Sequence, residues 1–287
     1  MSINLRRIRI GAVATVGLPT LYMAALFVIP IFVFFIYSFW QVRGYALVRE
    51  WTLDNYVEVA TNASYTVFII RSILIGLLTA AVTVLLSYPV AYDMAFRMKE
   101  GREVVLFLII LSLFSSYLVR VYAWKTILGS NGIINQFLIG VGLVDQPVSW
   151  LIYTPFSVVV TLTSVFMPIT ILPIYSVLMN IHPNLLEASR DLGAGPATTF
   201  LKVTLPLSMP GVVAGFVFTF VLTAGDYITP QLLGGPNGQL IGNSIVSQFG
   251  VLSNWPLGAA ITFYVIAIFF ALFLLGSLLT KRLGIRR

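Results

Sequence analysis

The sequence predicts an all-α fold: a polytopic membrane protein with six transmembrane helices. Three observations carry this reading. Of 287 residues, 59% are hydrophobic and only 9% charged, whereas soluble domains carry about 25% charged residues. The apolar residues gather in runs of about 20 residues or more, long enough at about 1.5 Å rise per residue to cross a hydrocarbon core of about 30 Å. The basic residues flank these runs instead of forming a stripe, so the net charge of +7 reads as membrane topology and not as a nucleic-acid surface. The absence of cysteine removes disulfides, thiolate metal sites and cysteine nucleophiles together.

Arg6, Arg7 and Arg9 precede the first run, at about 17–40. It is longer than the roughly 7–15 apolar residues of a signal peptide and ends in bulky aromatics, so it reads as an uncleaved helix. Residues 41–65 are a polar connection, and the second span covers about 66–92. Arg97, Lys99 and Arg102 occupy a short loop before a third span at about 104–128. A glycine-containing loop at 129–151 leads to the fourth span, about 153–179. After a polar interruption at 180–210 come the fifth span, about 211–233, a Gly- and Pro-rich loop at 234–254, and the sixth span, about 256–280. Lys281, Arg282, Arg286 and Arg287 end the chain. The expected organisation is therefore a cytoplasmic segment 1–16, a transmembrane domain 17–280 and a cytoplasmic tail 281–287.

A cytoplasmic N-terminus puts all these flanking basic residues, with Arg190 and Lys202, on the inner side. Only Arg43, Arg49, Arg71, Arg120 and Lys125 fall elsewhere, and Trp40, Trp51, Trp124, Trp150 and Trp255 all fall near or beyond the outer interface. The spans are expected in contact with membrane lipid, with both termini and the 180–210 loop cytoplasmic. Pro30, Pro89, Pro168 and Pro173 interrupt apolar runs, which membrane helices tolerate where packed neighbours or a wet cavity satisfy the freed carbonyls. Gly211, Ala214 and Gly215 allow close helix packing.

The polar interruption reads as two short helices joined by a glycine turn. Pro183 suits a first helical position, and Leu185, Ala188, Ser189 and Leu192 share one face. Gly193-Ala194-Gly195 ends that helix, Pro196 opens a second, and Leu205-Pro206 is expected to close it. The small Ala188 and Ser189 would let another protein surface approach the backbone. The competing reading is an amphipathic helix lying on the membrane.

Glu187-Ala188-Ser189, then Gly193, then Val203-Thr204-Leu205-Pro206 resembles the EAA motif of ABC-importer permeases, with Ser189 in place of the second Ala and Val203 in place of Ile. His182 stands where that family usually has an N-cap Asp. The stretches Arg120–Lys125, Gly132–Leu138, Leu233–Pro236, Ile241–Asn243 and Asn254–Ala260 look like the spermidine/putrescine-type permeases. The resemblance implies the type I importer (MetI-like) transmembrane fold and a second, related permease subunit. It also implies two copies of an ATPase subunit, a periplasmic solute-binding protein, and a small cationic solute such as putrescine or spermidine. An amino-acid-like or other organic solute is the alternative within that family. Glu187, Ala188, Ser189, Gly193, Leu205 and Pro206 would couple to the ATPase.

The chain has no G-x-x-x-x-G-K-[ST] phosphate loop, so ATP-driven work needs another subunit, and it is read as no enzyme. No metal-ligand spacing, catalytic grouping or cofactor motif is present. A secondary transporter, the alternative class, would carry an intramembrane relay of ionisable residues, and the spans hold few charges. Asp226 is the only acidic residue in the expected fifth span, roughly 22 Å along from Gly211 at helical rise. It is read either as facing the translocation path with Trp124 and Tyr227, or as neutralising Arg71, Arg120 or Lys125.

Overall fold

The computed structural model describes residues 5–44, 46–98 and 100–282, and their side chains except those of 5–14, 18, 277 and 279–282. In chain order these form α1 (Leu5–Tyr37), β1 (Gln41–Arg43), β2 (Ala46–Val48), α2 (Asp54–Thr61), α3 (Ala63–Phe96), α4 (Arg102–Leu113) and α5 (Tyr117–Leu128). There follow α6 (Ile133–Gly140), α7 (Pro155–Met179), α8 (Pro183–Asp191), α9 (Pro196–Thr199), α10 (Leu205–Ala224), α11 (Ile241–Phe249) and α12 (Trp255–Arg282). Among the described residues, five helices are long and apolar enough to cross a membrane, and α4 with Tyr117–Gly140 is long and apolar enough as a pair bent by 95°, the geometry of a broken span or a re-entrant loop. The side chains of Arg6, Arg7, Arg9, Lys281 and Arg282, and the whole of Lys99, Arg286 and Arg287, lie outside the described residues.

The chain divides into two compact units. One lies within Met1–Asn62 and Ile245–Ile268. Here the chain leaves α1 through Ser38–Trp40, and the buried Asn55 of α2 donates to the carbonyls of Ser38 and Trp40 at 3.0 and 2.7 Å. The Ser38 and Tyr56 hydroxyls are 2.7 Å apart. Phe34 stacks on Trp255 at 6.2 Å, with Phe249 edge-on to both at 5.8 Å. The connection at 41–65, expected to be merely polar, holds an antiparallel hairpin with Val42 opposite Leu47, then α2 and the start of α3.

The other unit, Ala63–Ser244 and Phe269–Arg287, is built on α3, α7 and α10, which pack against one another. Small residues set the approach. A Cβ placed on Gly211 would lie 2.6 Å from the Pro173 carbonyl oxygen and 3.0 Å from Ile174 Cα, and one on Gly215 would meet Thr170 at 3.0 Å. On α3, Gly76 likewise receives Phe220 and Ala224 of α10. Lipid tails are as apolar as leucine, so such close packing and interhelical hydroxyls replace the hydrophobic drive between helices. Thr170 and Thr219 hydroxyls meet at 2.6 Å, and Tyr88 and Ser208 at 2.8 Å, across α7–α10 and α3–α10.

Several expectations need correction. The third span is not one helix over 104–128: it breaks at Phe114–Ser116, where Ser116 adopts extended backbone at φ −56, ψ 129. Apolar composition continues across the break and hides it, although paired serines compete with the helix for main-chain bonds. The fifth span is not 211–233. Helical structure runs from Pro196 to Ala224 and stops at Gly225, so Asp226 lies beyond the helix. Leu205-Pro206 does not close the second short helix. A π-helical turn at Phe200–Thr204 lies before it, with Leu205 N–H bonded back to the Phe200 carbonyl. Such a wide turn accommodates a residue that neither donates nor tolerates the i−4 carbonyl. The loops expected at 129–151 and 234–254 contain α6 and α11.

The proline expectation holds: Pro30, Pro89, Pro168 and Pro173 are all inside helices. Pro168 and Pro173 deprive the carbonyls of Ser164 and Ile169 of their usual donor. Arg120 supplies a donor beside the first, its Nη1 lying 3.0 Å from the Val165 carbonyl.

The packing makes a direct prediction. Gly211→Ala forces a backbone contact and should lower stability by about 1–3 kcal/mol. Gly140→Ala, which meets nothing within 4 Å, should change it by less than about 1 kcal/mol. Thermal unfolding in detergent compares the two, and equal losses would refute close approach as the basis of the α7–α10 contact.

Candidate functional site

Two places concentrate the polar residues singled out above: the 180–210 loop and the corner after α10.

In the loop, His182 takes the N-cap position, its Nδ1 accepting from Asn184 N–H at a long 3.4 Å, and Pro183 is the first helical residue. At the other end of α8, Gly193 has φ +81, a conformation that favours glycine. Gly193 N–H donates to the Arg190 carbonyl at 2.8 Å and Ala194 N–H to that of Ser189 at 3.1 Å. This pair of bonds is a Schellman motif, which satisfies two carbonyls the helix leaves open. Gly195 then caps α9, with Pro196 first in it.

The loop is fastened from beneath. Phe200 packs edge-on against Tyr88 and Tyr92 of α3 at 5.7 and 5.8 Å, while Thr199 and Thr204 are buried. Ser189, expected to face outward beside Ala188, is half-buried, and its hydroxyl meets that of Thr199 at 3.0 Å, joining α8 to α9. The outward surface is instead made by Leu185, Glu187, Ala188 and Leu192, the last 88% exposed. Leu205 and Pro206 lie in the first turn of α10, Leu205 half-buried and Pro206 exposed.

The second place is the corner Gly225–Thr229. Asp226 Oδ1 accepts from Ile228 N–H at 3.2 Å, and Oδ2 from Thr229 N–H at 3.1 Å and from the Tyr117 hydroxyl at 2.7 Å. The Tyr117 hydroxyl is also 2.7 Å from Thr229 Oγ1. The main chain here is gripped from α11. Asn243 Nδ2 donates to the Tyr227 carbonyl at 2.9 Å, and a Cβ on Gly242 would fall 2.8 Å from the Asp226 carbonyl oxygen.

Asp226 therefore caps the turn that follows it and carries its charge with neutral donors only. Among the described residues, ion pairs join Arg43 to Glu50 and Arg97 to Asp93, and none includes Asp226. The bases considered as its partners are engaged elsewhere. Arg71 donates to the Pro236 carbonyl at 3.2 Å, Arg120 to that of Val165, and Lys125 Nζ lies 5.9 Å from the centre of the Tyr122 ring.

Of the other residues grouped with Asp226, Tyr227 is its exposed neighbour. Trp124 is not brought to it. That ring packs with Val121, Leu128, Ile152 and Leu233 along the face of α5 that begins at Tyr117. Tyr117 and Thr229, which do touch the carboxylate, escaped sequence reasoning. Tyr117 reaches it across 109 positions, with the Ser115-Ser116 pair just before it as the hint, whereas Thr229 lies three residues on, at local capping distance.

Comparison with known proteins agrees with this architecture. The family described as "Binding-protein-dependent transport system inner membrane component" matches residues 14–285. The chain is 34% identical over 209 residues to the spermidine/putrescine transport system permease protein PotB of Escherichia coli (strain K12), covering 73% of this chain and 75% of that protein. It is 37% identical over 247 residues to the inner membrane ABC transporter permease protein YdcU of the same organism, covering 82% and 77%. The crystal structure of a bacterial ABC transporter involved in the import of the acidic polysaccharide alginate shares the fold, with a TM-score of 0.73 at 18% identity and 96% of each chain covered. The chain belongs to the binding-protein-dependent transport system inner membrane components, as the multi-pass permease of an ABC importer.

Proposed function

We propose that this permease forms the inward path for a small cationic solute, a polyamine such as putrescine or spermidine, with ATP hydrolysed on a separate subunit. The observation that carries the solute reading is Asp226: a half-exposed carboxylate without an ion-pair partner among the described residues, just beyond the C-terminal end of α10. Helix C-termini carry partial negative charge, so helix and carboxylate attract a cation together. Tyr227 stands beside it, and Trp124 contributes an aromatic wall farther along α5. The likeness to PotB supports the same solute class.

In this reading the working assembly contains two ATPase copies, a second related permease and a periplasmic solute-binding protein. The 180–210 loop is the ATPase contact. Glu187 and Ala188 present its outer face, Ser189 and Gly193 fix the angle between its helices, and Leu205 and Pro206 connect it to α10. The exposed Leu185 and Leu192 support this, since an apolar pair at the tip of a polar loop fits a protein groove. Both termini, segment 1–16 and tail 281–287 face the cytoplasm with this loop.

Three outcomes test the reading. Asp226→Asn, in a complex shown to assemble, should raise the KM for putrescine about tenfold, the scale of one lost charge-assisted contact. Undiminished uptake would exclude Asp226 from the path. Gly193→Val strains a left-handed turn by about 1–2 kcal/mol and should uncouple ATP hydrolysis from transport, while Gly193→Asn, tolerant of that region, should retain coupling. Finally, a cysteine at position 187 in this cysteine-free chain should react with a membrane-impermeant thiol reagent only from the cytoplasmic side; reaction from the periplasm would reverse the orientation.

A further inference from the structure

The donors that surround Asp226 differ in kind. Ile228 N–H and Thr229 N–H belong to the main chain of the corner itself, which Asn243 and Gly242 hold in place. The third donor, the Tyr117 hydroxyl, arrives on the first turn of α5, directly after the break at Phe114–Ser116. Two of the donors are thus locked and one can leave. It also has somewhere to go, because Thr229 Oγ1 lies 2.7 Å from the same hydroxyl.

We infer that Tyr117 is a positioning residue that competes with the ammonium group of the solute for Asp226, and so ties occupancy of that carboxylate to the break in the third span. This rests on Asp226 being the cation site proposed above. A primary ammonium brings several N–H donors and a full positive charge, so its bonds to the carboxylate are charged on both sides, whereas the phenol's is charged on the acceptor side alone. It therefore displaces the phenol from Oδ2. The phenol keeps its bond to Thr229, so the exchange strands no buried polar group, which would otherwise cost as much as it gained. What is lost is the bond from the start of α5 to Asp226. The non-helical backbone at Phe114–Ser116 is the point of the span least restrained by its own ladder. An empty site ties α5 to the corner through both Asp226 and Thr229; an occupied one leaves it only the weaker, neutral bond to Thr229. The exchange also favours solutes with N–H donors, because a quaternary ammonium offers charge without a replacement hydrogen bond.

The test uses the assembled complex in vesicles, with putrescine as probe. Tyr117→Phe removes the competitor alone. It should lower the KM for putrescine about fivefold to tenfold, with the maximal rate nearly unchanged, and raise ATP hydrolysis in the absence of solute. A merely structural tyrosine would lower the maximal rate and leave KM alone or raise it, and that result overturns the inference. In an Asp226→Asn background the effect of Tyr117→Phe on KM should vanish; its persistence there would also overturn it. Should Tyr117→Phe fail to assemble, Thr229→Val decides. By taking away the hydroxyl's refuge it should raise KM several-fold, and an unchanged KM rules the exchange out. If Asp226→Asn alone leaves KM unaltered, the cation site itself is wrong; if it raises KM while Tyr117→Phe does not lower it, only the competition fails.

Discussion

A main-chain N–H or carbonyl in hydrocarbon must find its partner within the protein, and this constraint explains most of what is irregular here. Unbroken helices meet it by themselves. The departures from regular helix each show where the partners came from. At Pro168 in α7 the added partner is Arg120, which bonds the Val165 carbonyl, next to the Ser164 carbonyl that the proline leaves open. At the end of α10 it is the Asp226 carboxylate, which takes two N–H groups of the following turn, and Asn243, which takes the Tyr227 carbonyl. Before Pro206 it is a π turn that re-spaces the ladder. Charged and amide side chains at these points are therefore structural whatever else they do, and Asp226 is structural before it can be a solute ligand.

The same solvent removes the usual reason for helices to associate. In α3, α7 and α10 glycine stands in for the hydrophobic effect by letting backbones touch, and Gly76, Gly211 and Gly215 lie at the close contacts. Hydroxyl pairs add to this at modest strength, about 0.6 kcal/mol each on average in membrane proteins. A core held by contact geometry is stiff where it is tight and free to move where helices are broken. The 180–210 loop sits at one such place, anchored to α3 through Phe200 while its outer face remains open. Movement of that loop would be felt by α10 directly, since helical structure is continuous from Pro196 to Ala224.

Much of this was legible in the sequence because it depends on composition and local chemistry. Hydropathy alone marks the membrane-spanning helices, as apolar length is the physical requirement for a span. The turn at Gly193, with φ +81, follows from glycine's tolerance of the left-handed region, and the helix starts at Pro183 and Pro196 follow from proline's missing donor. Family membership followed from residues in register over most of the chain.

Tertiary structure decided what an apolar run cannot express. The run as a whole stays apolar across Phe114–Ser116 and the Ser115-Ser116 pair is only a local hint, so the break in the third span depends largely on the partners available to α5. Pro206 and Pro210 look like boundaries of the fifth span, yet a wide turn at Phe200–Thr204 leads into Pro206 and the helix runs on through Pro210 to Ala224. Ser189 reads as an outward-facing small residue until Thr199 is brought beneath it. Asp226 reads as a charge within a helix until the helix is seen to end at Ala224, leaving the carboxylate to cap the next turn and to meet Tyr117 from α5. Residue types determined which segments lie in the membrane and where glycine and proline turn the chain; the pairing of polar groups across distant segments, which no local pattern encodes, decided where the spans break and which carboxylate contacts are made.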